Sequence, residues 1–505
     1  MVRWAWTQLT SMRTALALLL LVALAAIPGS LIPQRAASTL RVRDFREANP
    51  TLDIFFSPLG LYDVYRSVWF SAIYLLLFVS LIGCILPRIA VYARAIRTPP
   101  PRVPRRLDRL GEYASGRLGS NPDAALDAAE TWLRSKRFRV VRSEAGISAE
   151  RGYLREFGNL LFHLALIFVL VGVAVSQLLG FKGTSVIVEG QGFSNNITQY
   201  DDFKAGNLVN TDALEPFTVK LKEFVVRFET GEVQRGAARE FTARVDLTVD
   251  GATTAETIQV NHPLTIDGTR VHLLGHGYAA AVTVTDGNGD VAYTGPAITV
   301  PQDKFFTSLG VIKVPDARPD RLVFQGWFLP TAVIDETGPH SAFPDTYNPQ
   351  LFLTAWYGEP VASTGVPENL YTFNPEGLTQ LTNGDQPVRF ALEPGESIDL
   401  PDGRGSLTFD GYSRWTKLQI SRTPGLPLTM GGVAVAVFGL CLSLFVRPRR
   451  LWIRPITHPD GSLGLEAAGL DRADARTGLS DDVTDLLAAA GVAPDEPDLT
   501  SKETS

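Results

Sequence analysis

The sequence contains little cysteine. Only Cys84 and Cys441 occur among 505 residues, and both lie in apolar stretches. Residues 180–427 contain no cysteine, so this long polar region has neither a disulfide framework nor a CxxC motif. Because thiol–disulfide chemistry needs a solvent-facing thiolate, the sequence excludes a thiol oxidoreductase function for this region.

Short catalytic motifs are missing as well. The sequence has no Walker A loop, no GxSxG elbow, no HExxH helix and no CxxCH haem-attachment site. Its net charge of −6 does not suit a nucleic-acid-binding protein, which usually has a basic domain. We therefore expect no nucleic-acid partner and nominate no catalytic residue, which leaves open whether the chain is an enzyme.

Long hydrophobic runs are present, in contrast. Four apolar blocks, each long enough for a helix to cross about 30 Å of hydrocarbon, lie at Thr14–Ile32, Val68–Leu86, Leu160–Leu179 and Leu428–Val446. The first block also resembles a secretory signal peptide, since a basic start precedes it and Leu24-Ala25-Ala26 lies near its end. Its length and the three blocks that follow favour a retained transmembrane span.

The arginines and lysines predict which span ends face the cytoplasm. Residues 88–158 contain 15 of them, and four more arginines lie between residues 447 and 454. Loops rich in Lys and Arg stay on the cytoplasmic side, so both regions and both termini are predicted to be cytoplasmic in a bacterial cell membrane. The five arginines between residues 34 and 67 oppose this mildly, but strict alternation of the spans places that loop outside.

The predicted fold class is an integral membrane protein with four transmembrane helices and a large β-rich extracytoplasmic domain. Its segments are 1–33 (N-terminus and first span), 34–67 (extracytoplasmic loop), 68–87 (second span), 88–158 (cytoplasmic basic loop or small domain), 159–179 (third span), 180–427 (extracytoplasmic β-rich domain), 428–446 (fourth span) and 447–505 (cytoplasmic acidic tail, largely disordered).

Alternating apolar and polar residues and the turn sequence Asp286–Gly289 predict strands in the large domain, arranged as a sandwich or an open barrel. Residues 300–348 are rich in proline and are expected to form an insertion or long loop. Helical spacing predicts a short helix over 123–135 and another over 481–490, and residues 138–149 are expected to form a small hairpin.

His163 is the most informative single residue. It lies early in the third apolar block, and an ionisable side chain inside a span is a functional candidate by default. A neutral imidazole can bind haem iron through one ring nitrogen while the other donates a hydrogen bond. The alternative is a histidine that only hydrogen-bonds a neighbouring helix.

Other chemistry-bearing residues give weaker signals. With the predicted topology, Cys84, Cys441 and His163 all fall towards the cytoplasmic side, where a thiolate–imidazole iron site is conceivable, although packing is the better interpretation for both cysteines. His262, His272 and His276 lie within 15 residues, but their spacing matches no closed zinc motif, which favours surface or turn positions. His340 and His458 are isolated, and no role is assigned to them.

Several segments of the chain resemble the ResB (CcsB) family of system II cytochrome c biogenesis proteins. The residues that carry this resemblance are Leu9–Leu19, Ile27–Gln34, Asn49-Pro50, Leu59–Phe70, Ser80–Arg88 and Phe162-His163-Leu164. The predicted layout of four spans, with a large outer domain between the third and fourth, is similar to that family as well.

The resemblance implies a role in haem handling. It implies a separate ResC/CcsA-like membrane partner, since the Trp-rich haem-binding segment of that partner is absent here, and delivery of haem b to reduced CxxCH sites of apocytochrome c. It also implies that His163 is one axial ligand of a haem shared with the partner. The outer domain is expected to dock the partner, the apocytochrome or a thiol-reducing thioredoxin-like protein.

Two further hypotheses stay open from the sequence. The chain could be a membrane scaffold that holds the haem-handling partner and the apocytochrome without binding haem itself, or a sensor or envelope protein with an outer β domain. If it has enzymatic character at all, the resemblance implies a subunit of a holocytochrome c synthase complex.

Overall fold

The computed structural model describes residues 2–35, 39–119, 121–336, 338–360, 374–384, 386–458, 460–471 and 478–495. The chain forms two compact units, which are treated separately below. The first comprises Met1–Gly172 and Pro427–Ser505, and the second comprises Val173–Leu426.

The α-helices of the described residues are α1 (Val2–Leu9), α2 (Met12–Leu31), α3 (Thr39–Ala48), α4 (Pro50–Phe56), α5 (Val68–Arg97), α6 (Pro122–Ser135), α7 (Leu154–Leu179), α8 (Leu426–Phe445) and α9 (Leu479–Ala489).

The β-strands are β1 (Glu112–Arg117), β2 (Arg139–Ser143), β3 (Gly146–Arg151), β4 (Phe181–Val188), β5 (Gly192–Ser194), β6 (Asp202–Ala205), β7 (Phe217–Phe228), β8 (Ala238–Val249), β9 (Ala252–Gln259), β10 (Leu264–Ile266), β11 (Thr269–Asp286), β12 (Val291–Pro301), β13 (Ser308–Val314), β14 (Arg321–Leu329), β15 (Ala332–Asp335), β16 (Gly338–Ser341), β17 (Gln350–Gly358), β18 (Thr379–Gln380), β19 (Thr382–Asn383), β20 (Gln386–Pro387), β21 (Arg389–Leu392), β22 (Ser397–Asp399), β23 (Gly405–Arg422), β24 (Arg449–Thr457) and β25 (Leu463–Asp471).

Helices α2, α5, α7 and α8 are long and apolar enough to cross a bilayer. Only 11–17% of the most apolar window in each is buried by the rest of the protein, so their side chains need hydrocarbon around them. The four predicted spans are thereby confirmed. Helix α5 continues to Arg97, about ten residues beyond the apolar block, because Ala and Arg in this stretch are good helix formers.

Small residues bring α7 and α8 close together in an antiparallel pair. Gly158, Ala165 and Gly172 are buried on α7, and Gly432, Ala436 and Gly439 are buried on α8. A Cβ atom added to Gly158 would lie 2.6 Å from the carbonyl oxygen of Gly439, so only glycine permits this approach. Such contacts between small residues are the usual way for apolar helices to associate in lipid.

The segment between α2 and α5 is more ordered than a simple loop. It contains α3, α4 and a 3-10 helix at Leu61–Arg66. Tyr62 is buried, and its ring lies 6.4 Å from that of Phe45 and 6.3 Å from that of Phe56. This aromatic cluster holds the short helices together.

The first unit also contains a small α/β module. Its antiparallel sheet has the strand order β1-β25-β24-β3-β2, with α6 and α9 packed against one face. The hairpin β2–β3 and helix α6 occupy the positions expected from the sequence. Leu133, Ile147, Leu451 and Leu486 are among the side chains that this core buries completely.

The expectation of a largely disordered tail is wrong for the residues that the structure describes. Strands β24 and β25 and helix α9 come from this tail. Its average composition is acidic, but Leu451 and Trp452 are buried on opposite faces of β24, and its acids meet arginines, as in Arg151–Asp482 at 2.9 Å. Tail residues 472–477 and 496–505 lie outside the described part of the chain.

The second unit is built from antiparallel strands, as predicted. One large sheet has the order β18-β17-β14-β13-β12-β11-β23-β4-β6, with β10, β21 and β22 attached to it, and a four-stranded sheet has the order β5-β7-β8-β9. Residues of both sheets enter one core, so they pack face to face at the β4 end of the large sheet.

The two long strands β11 and β23 connect two hydrophobic cores within this unit. Val271 and Leu418 lie in the core shared with the four-stranded sheet. Val282 and Phe409, farther along the same strands, lie in a second core. The expected loop over residues 300–348 is wrong, since β13 to β16 occupy much of it and its prolines lie mainly between the strands.

Candidate functional site

Helix α7 positions His163 on its open side. His163 precedes Ala165 by two residues, which is about 200° around an α-helix, so it lies away from the face that packs against α8. The side chain is half-buried, with the ring of Phe162 beside it at a centroid distance of 5.2 Å. His163 is therefore accessible to another molecule from the side of α7 opposite α8.

A hydrogen bond fixes the proton of the His163 ring. Its Nδ1 lies 2.7 Å from the carbonyl oxygen of Asn159, one turn earlier in α7. A carbonyl oxygen can only accept, so Nδ1 carries the hydrogen, and in the neutral imidazole Nε2 carries the lone pair. Nε2 has no hydrogen-bond partner among the described residues. This is the state in which a histidine binds a metal, with the second nitrogen held by a backbone acceptor.

The two cysteines do not join His163. The Sγ of Cys84 donates to the carbonyl oxygen of Thr10 at 2.8 Å, which turns it towards the start of α2. Cys441 is an exposed residue on α8. Within the ranges that the structure covers, no three His, Cys, Asp or Glu side chains cluster as a metal site. The packing interpretation agrees with the contact of Cys84, whereas Cys441 is not buried by the described residues.

His262, His272 and His276 of the second unit do not form a metal site with each other among the described residues. His262 is exposed in the turn after β9, and the only hydrogen-bond partner of its side chain among the described residues is the carbonyl oxygen of Val260, at 3.3 Å. His272 and His276 lie on β11, opposite Gln419 and Thr416 of β23. Burial lowers the pKa of His272, and the charge of Arg270 adds to this effect. Their predicted surface or turn character holds for His262 only.

His276 is packed by aromatic rings. Its ring centroid lies 4.8 Å from those of Phe241 and Phe306 and 5.4 Å from that of Phe224. Burial, helped by the charge of Arg414, lowers the pKa of His276 to about 4, so the imidazole is neutral near pH 7. These aromatic neighbours explain His276 as a packing residue.

The sequence does not predict the surroundings of the N-terminal end of α7. A cavity lined by arginines lies there, and Asn159, which holds His163, is part of its wall. Its lining comes from three segments that are distant in sequence, so no local pattern indicates it. The spacing of Asn159 and His163, one helical turn apart, was visible in the sequence.

Comparison with known proteins decides the family. The model of the ResB-like family matches residues 12–482, from the start of α2 into α9. The chain belongs to the ResB-like family. The match includes the small α/β module as well as the four long helices and the strand-rich unit, so the tail strands belong to the family's fold.

Members with curated names are similar over nearly the whole chain. The cytochrome c biogenesis protein CcsB of Synechococcus sp. (strain CC9311) is 26% identical over 450 residues, which is 88% of this chain and 88% of that protein. CcsB of Picosynechococcus sp. (strain ATCC 27264 / PCC 7002 / PR-6) is 28% identical, covering 88% and 84%. CcsB of Prochlorococcus marinus (strain MIT 9313) is 25% identical, covering 96% and 97%. This ResB-like chain is a membrane protein with four apolar helices.

Proposed function

We propose that this protein acts in cytochrome c biogenesis, as the ResB-like subunit of a system II complex that helps to move haem across the membrane and to present it to CxxCH sites of apocytochrome c. Family membership and relatives named cytochrome c biogenesis protein CcsB support the process. The haem-handling step is our inference from the site on α7.

His163 carries this proposal. Its Nδ1–H is bound to the carbonyl oxygen of Asn159, and its Nε2 is directed away from this bond with no partner among the residues described. These features suit one axial ligand of a haem b cargo. Because no second histidine joins it in the described chain, the other axial ligand would come from a ResC/CcsA-like membrane partner.

The same proposal places each of the two units on one side of the membrane. Exposed Arg94 and Arg97 at the end of α5, together with the arginines that follow α8, support a cytoplasmic position for the α/β module and both termini. The strand-rich unit would then lie outside the cytoplasm. Its edge strand β9 pairs only with β8 in the described sheet, which leaves backbone groups for the partner, the apocytochrome or a thioredoxin-like reductant.

The test is the visible absorption spectrum of the full chain co-purified with its ResC-like partner. We expect bands of a haem with two histidine ligands in the wild type and their loss or shift in His163→Ala. The matched control is Cys441→Ser, an exposed position on neighbouring α8, which should leave the spectrum unchanged.

Bands that persist unchanged in His163→Ala would overturn the ligand role. The chain would then be a scaffold that holds the partner and apocytochrome without binding haem. Loss of the bands in Cys441→Ser instead would point to a thiolate ligand.

A further inference from the structure

A large cavity lies within the first unit, beside the N-terminal part of α7 that precedes His163. Its volume is about 990 Å³, which is at the upper end of the range for small-molecule sites. The end of α5, the start of α7 and strands β3 and β24 contribute its walls. The module and the long helices therefore enclose a space that neither would form alone.

Positive charge dominates the polar lining. The charged side chains are Arg88, Glu150, Arg151, Arg155, Glu156 and Arg450, four arginines against two glutamates. Some of this charge is already paired, since Arg450 bonds Glu150 at 2.9 Å.

Two of the arginines remain available. Arg151 bonds Asp482 at 2.9 Å, whereas Arg88 and Arg155 form no ion pair with any residue in the described ranges. A guanidinium group binds a carboxylate through two parallel hydrogen bonds. Arg88 and Arg155 thus suit a ligand that brings its own anionic groups.

Part of the uncharged wall is apolar. Val91 and Ala95 of α5 face the cavity on one side, and Leu160 of α7 lines it on the other. Tyr92 closes the seam between the helices, because its hydroxyl donates to the carbonyl oxygen of Tyr153 at 3.2 Å. A small inorganic anion would leave this apolar surface unused, so the lining fits an amphipathic ligand with an apolar body.

The cavity adjoins the candidate haem ligand. Asn159 lines it, and the carbonyl oxygen of the same residue holds the His163 ring, about 6 Å farther along the helix axis. We propose that Arg88 and Arg155 bind the two carboxylate groups of haem in this cavity. The proposal rests on the haem-handling function above and assigns residues that would receive the cargo beside His163. An anionic phospholipid has related chemistry, but its headgroup would not need a site adjoining His163.

Metal-free protoporphyrin IX tests the carboxylate contacts without iron ligation. The full chain in phosphatidylcholine nanodiscs would be titrated with this porphyrin and with its dimethyl ester, following porphyrin fluorescence. We expect the free acid to bind roughly tenfold more tightly or better, as charge-assisted hydrogen bonds are strong and a tenfold change corresponds to about 1.4 kcal/mol. Arg88→Gln/Arg155→Gln should reduce the affinity for the acid to that for the ester.

The matched control is Arg97→Gln/Arg102→Gln, which removes the same charge from exposed positions outside the cavity lining. It should keep the preference for the acid. Equal affinities for acid and ester in the wild type, or equal losses in both double variants, would overturn the proposal. So would an unchanged preference in Arg88→Gln/Arg155→Gln with loss of co-purified phosphatidylglycerol, which would identify a lipid headgroup site.

Failure of this proposal is distinguishable from failure of the proposed function. The probe has no iron, so the preference for the acid should persist in His163→Ala, whether or not His163 is a haem ligand. The haem spectrum of His163→Ala tests the ligand role independently.

Discussion

Two half-buried histidines, His163 on α7 and His276 on β11, have opposite surroundings. His163 has one ring nitrogen bound to a backbone carbonyl and the other without a partner among the described residues. His276 is packed by three phenylalanine rings at centroid distances of 4.8–5.4 Å. Burial lowers the pKa of His276 to about 4, but only at His163 does a hydrogen bond to the backbone orient the ring and leave the second nitrogen accessible.

The difference shows that apolar surroundings alone do not identify a ligand. Burial favours the neutral form of histidine wherever it occurs. A ligand also needs a fixed tautomer and access for the metal. His163 satisfies both requirements through its helix, whereas His276 uses its ring as a flat side chain that fills space between aromatic neighbours.

The largest expected difference between the two sites is in cytochrome c assembly. His163→Ala should lower the yield of a c-type cytochrome reporter at least tenfold, since removal of even the outer-shell partner of a metal ligand typically costs about 10–100-fold. His276→Ala should leave haem attached to the reporter wherever the protein accumulates normally. Haem staining of the reporter, normalised to immunodetected protein, measures both. A normal yield of the reporter cytochrome in His163→Ala would show that His163 has no ligand role that separates it from His276.

The next effect concerns how α7 holds His163. Gly158→Leu places a side chain where even a Cβ would lie 2.6 Å from the Gly439 carbonyl oxygen and from the Cβ of Leu442. Overpacking of this kind costs about 1–3 kcal/mol, and we expect less folded protein and weaker haem bands. Thermal melting and the visible spectrum of the purified chain would measure this.

Gly431→Leu is its control on α8. A Cβ at Gly431 meets no heavy atom of the described residues within 4 Å, so the added side chain would extend into the space left open by them. Equal losses in both variants would mean that close α7–α8 packing does not position His163.

The elements that the sequence predicted are those with local causes. Four uninterrupted apolar runs indicate spans because only such runs fit hydrocarbon. The turn at Asp286 was predicted from Asp-Gly-Asn-Gly, and its carboxylate accepts from the backbone N–H groups of Asn288 at 2.9 Å and Asp290 at 3.1 Å. His163 stood out because a titratable residue is rare inside a span.

The parts that were not predicted depend on distant pairings. Arg450 and Glu150 are 300 residues apart in sequence, yet they bond across neighbouring strands of the α/β module. No local pattern specifies that partner, and the average composition of the acidic tail predicts disorder instead. The arginine-lined cavity was missed for the same reason.

A smaller effect should appear in the pH dependence of the second unit. The folded-state pKa of His276 is lowered to about 4 by burial and by Arg414, against about 6.5 in an unfolded chain. The unfolded chain therefore binds a proton between these values that the folded unit does not. The stabilisation is fully present above about pH 6.5 and is lost as the pH falls to about 4.

The expected loss is about 1–3 kcal/mol, reduced from the full pKa difference because the ring is partly exposed. Urea-dependent proteolysis of the full chain in nanodiscs, at about pH 7.5 and about pH 5, would measure it. His276→Phe should flatten this dependence, since Phe fits the aromatic neighbours without titrating. If the stability of His276→Phe changes with pH as much as that of the wild type, groups other than His276 cause the pH dependence.

The smallest effect is expected at His262 and His272, two further histidines of the second unit. His262 is exposed and hydrogen-bonds only a local carbonyl, and His272 faces Gln419 in the sheet, so neither completes a metal site among the residues described. His262→Asn with His272→Gln should change the free energy of unfolding by less than about 0.5 kcal/mol.

Zinc should not increase the free energy of unfolding of the wild type either. A metal that binds the folded unit, at a hundred times its dissociation constant, would increase it by about 2.7 kcal/mol. The same proteolysis assay with and without zinc therefore separates the alternatives. A zinc-dependent gain that disappears in the double variant would show that these histidines meet around a metal, and that His163 is not the only histidine of this chain with a ligand role.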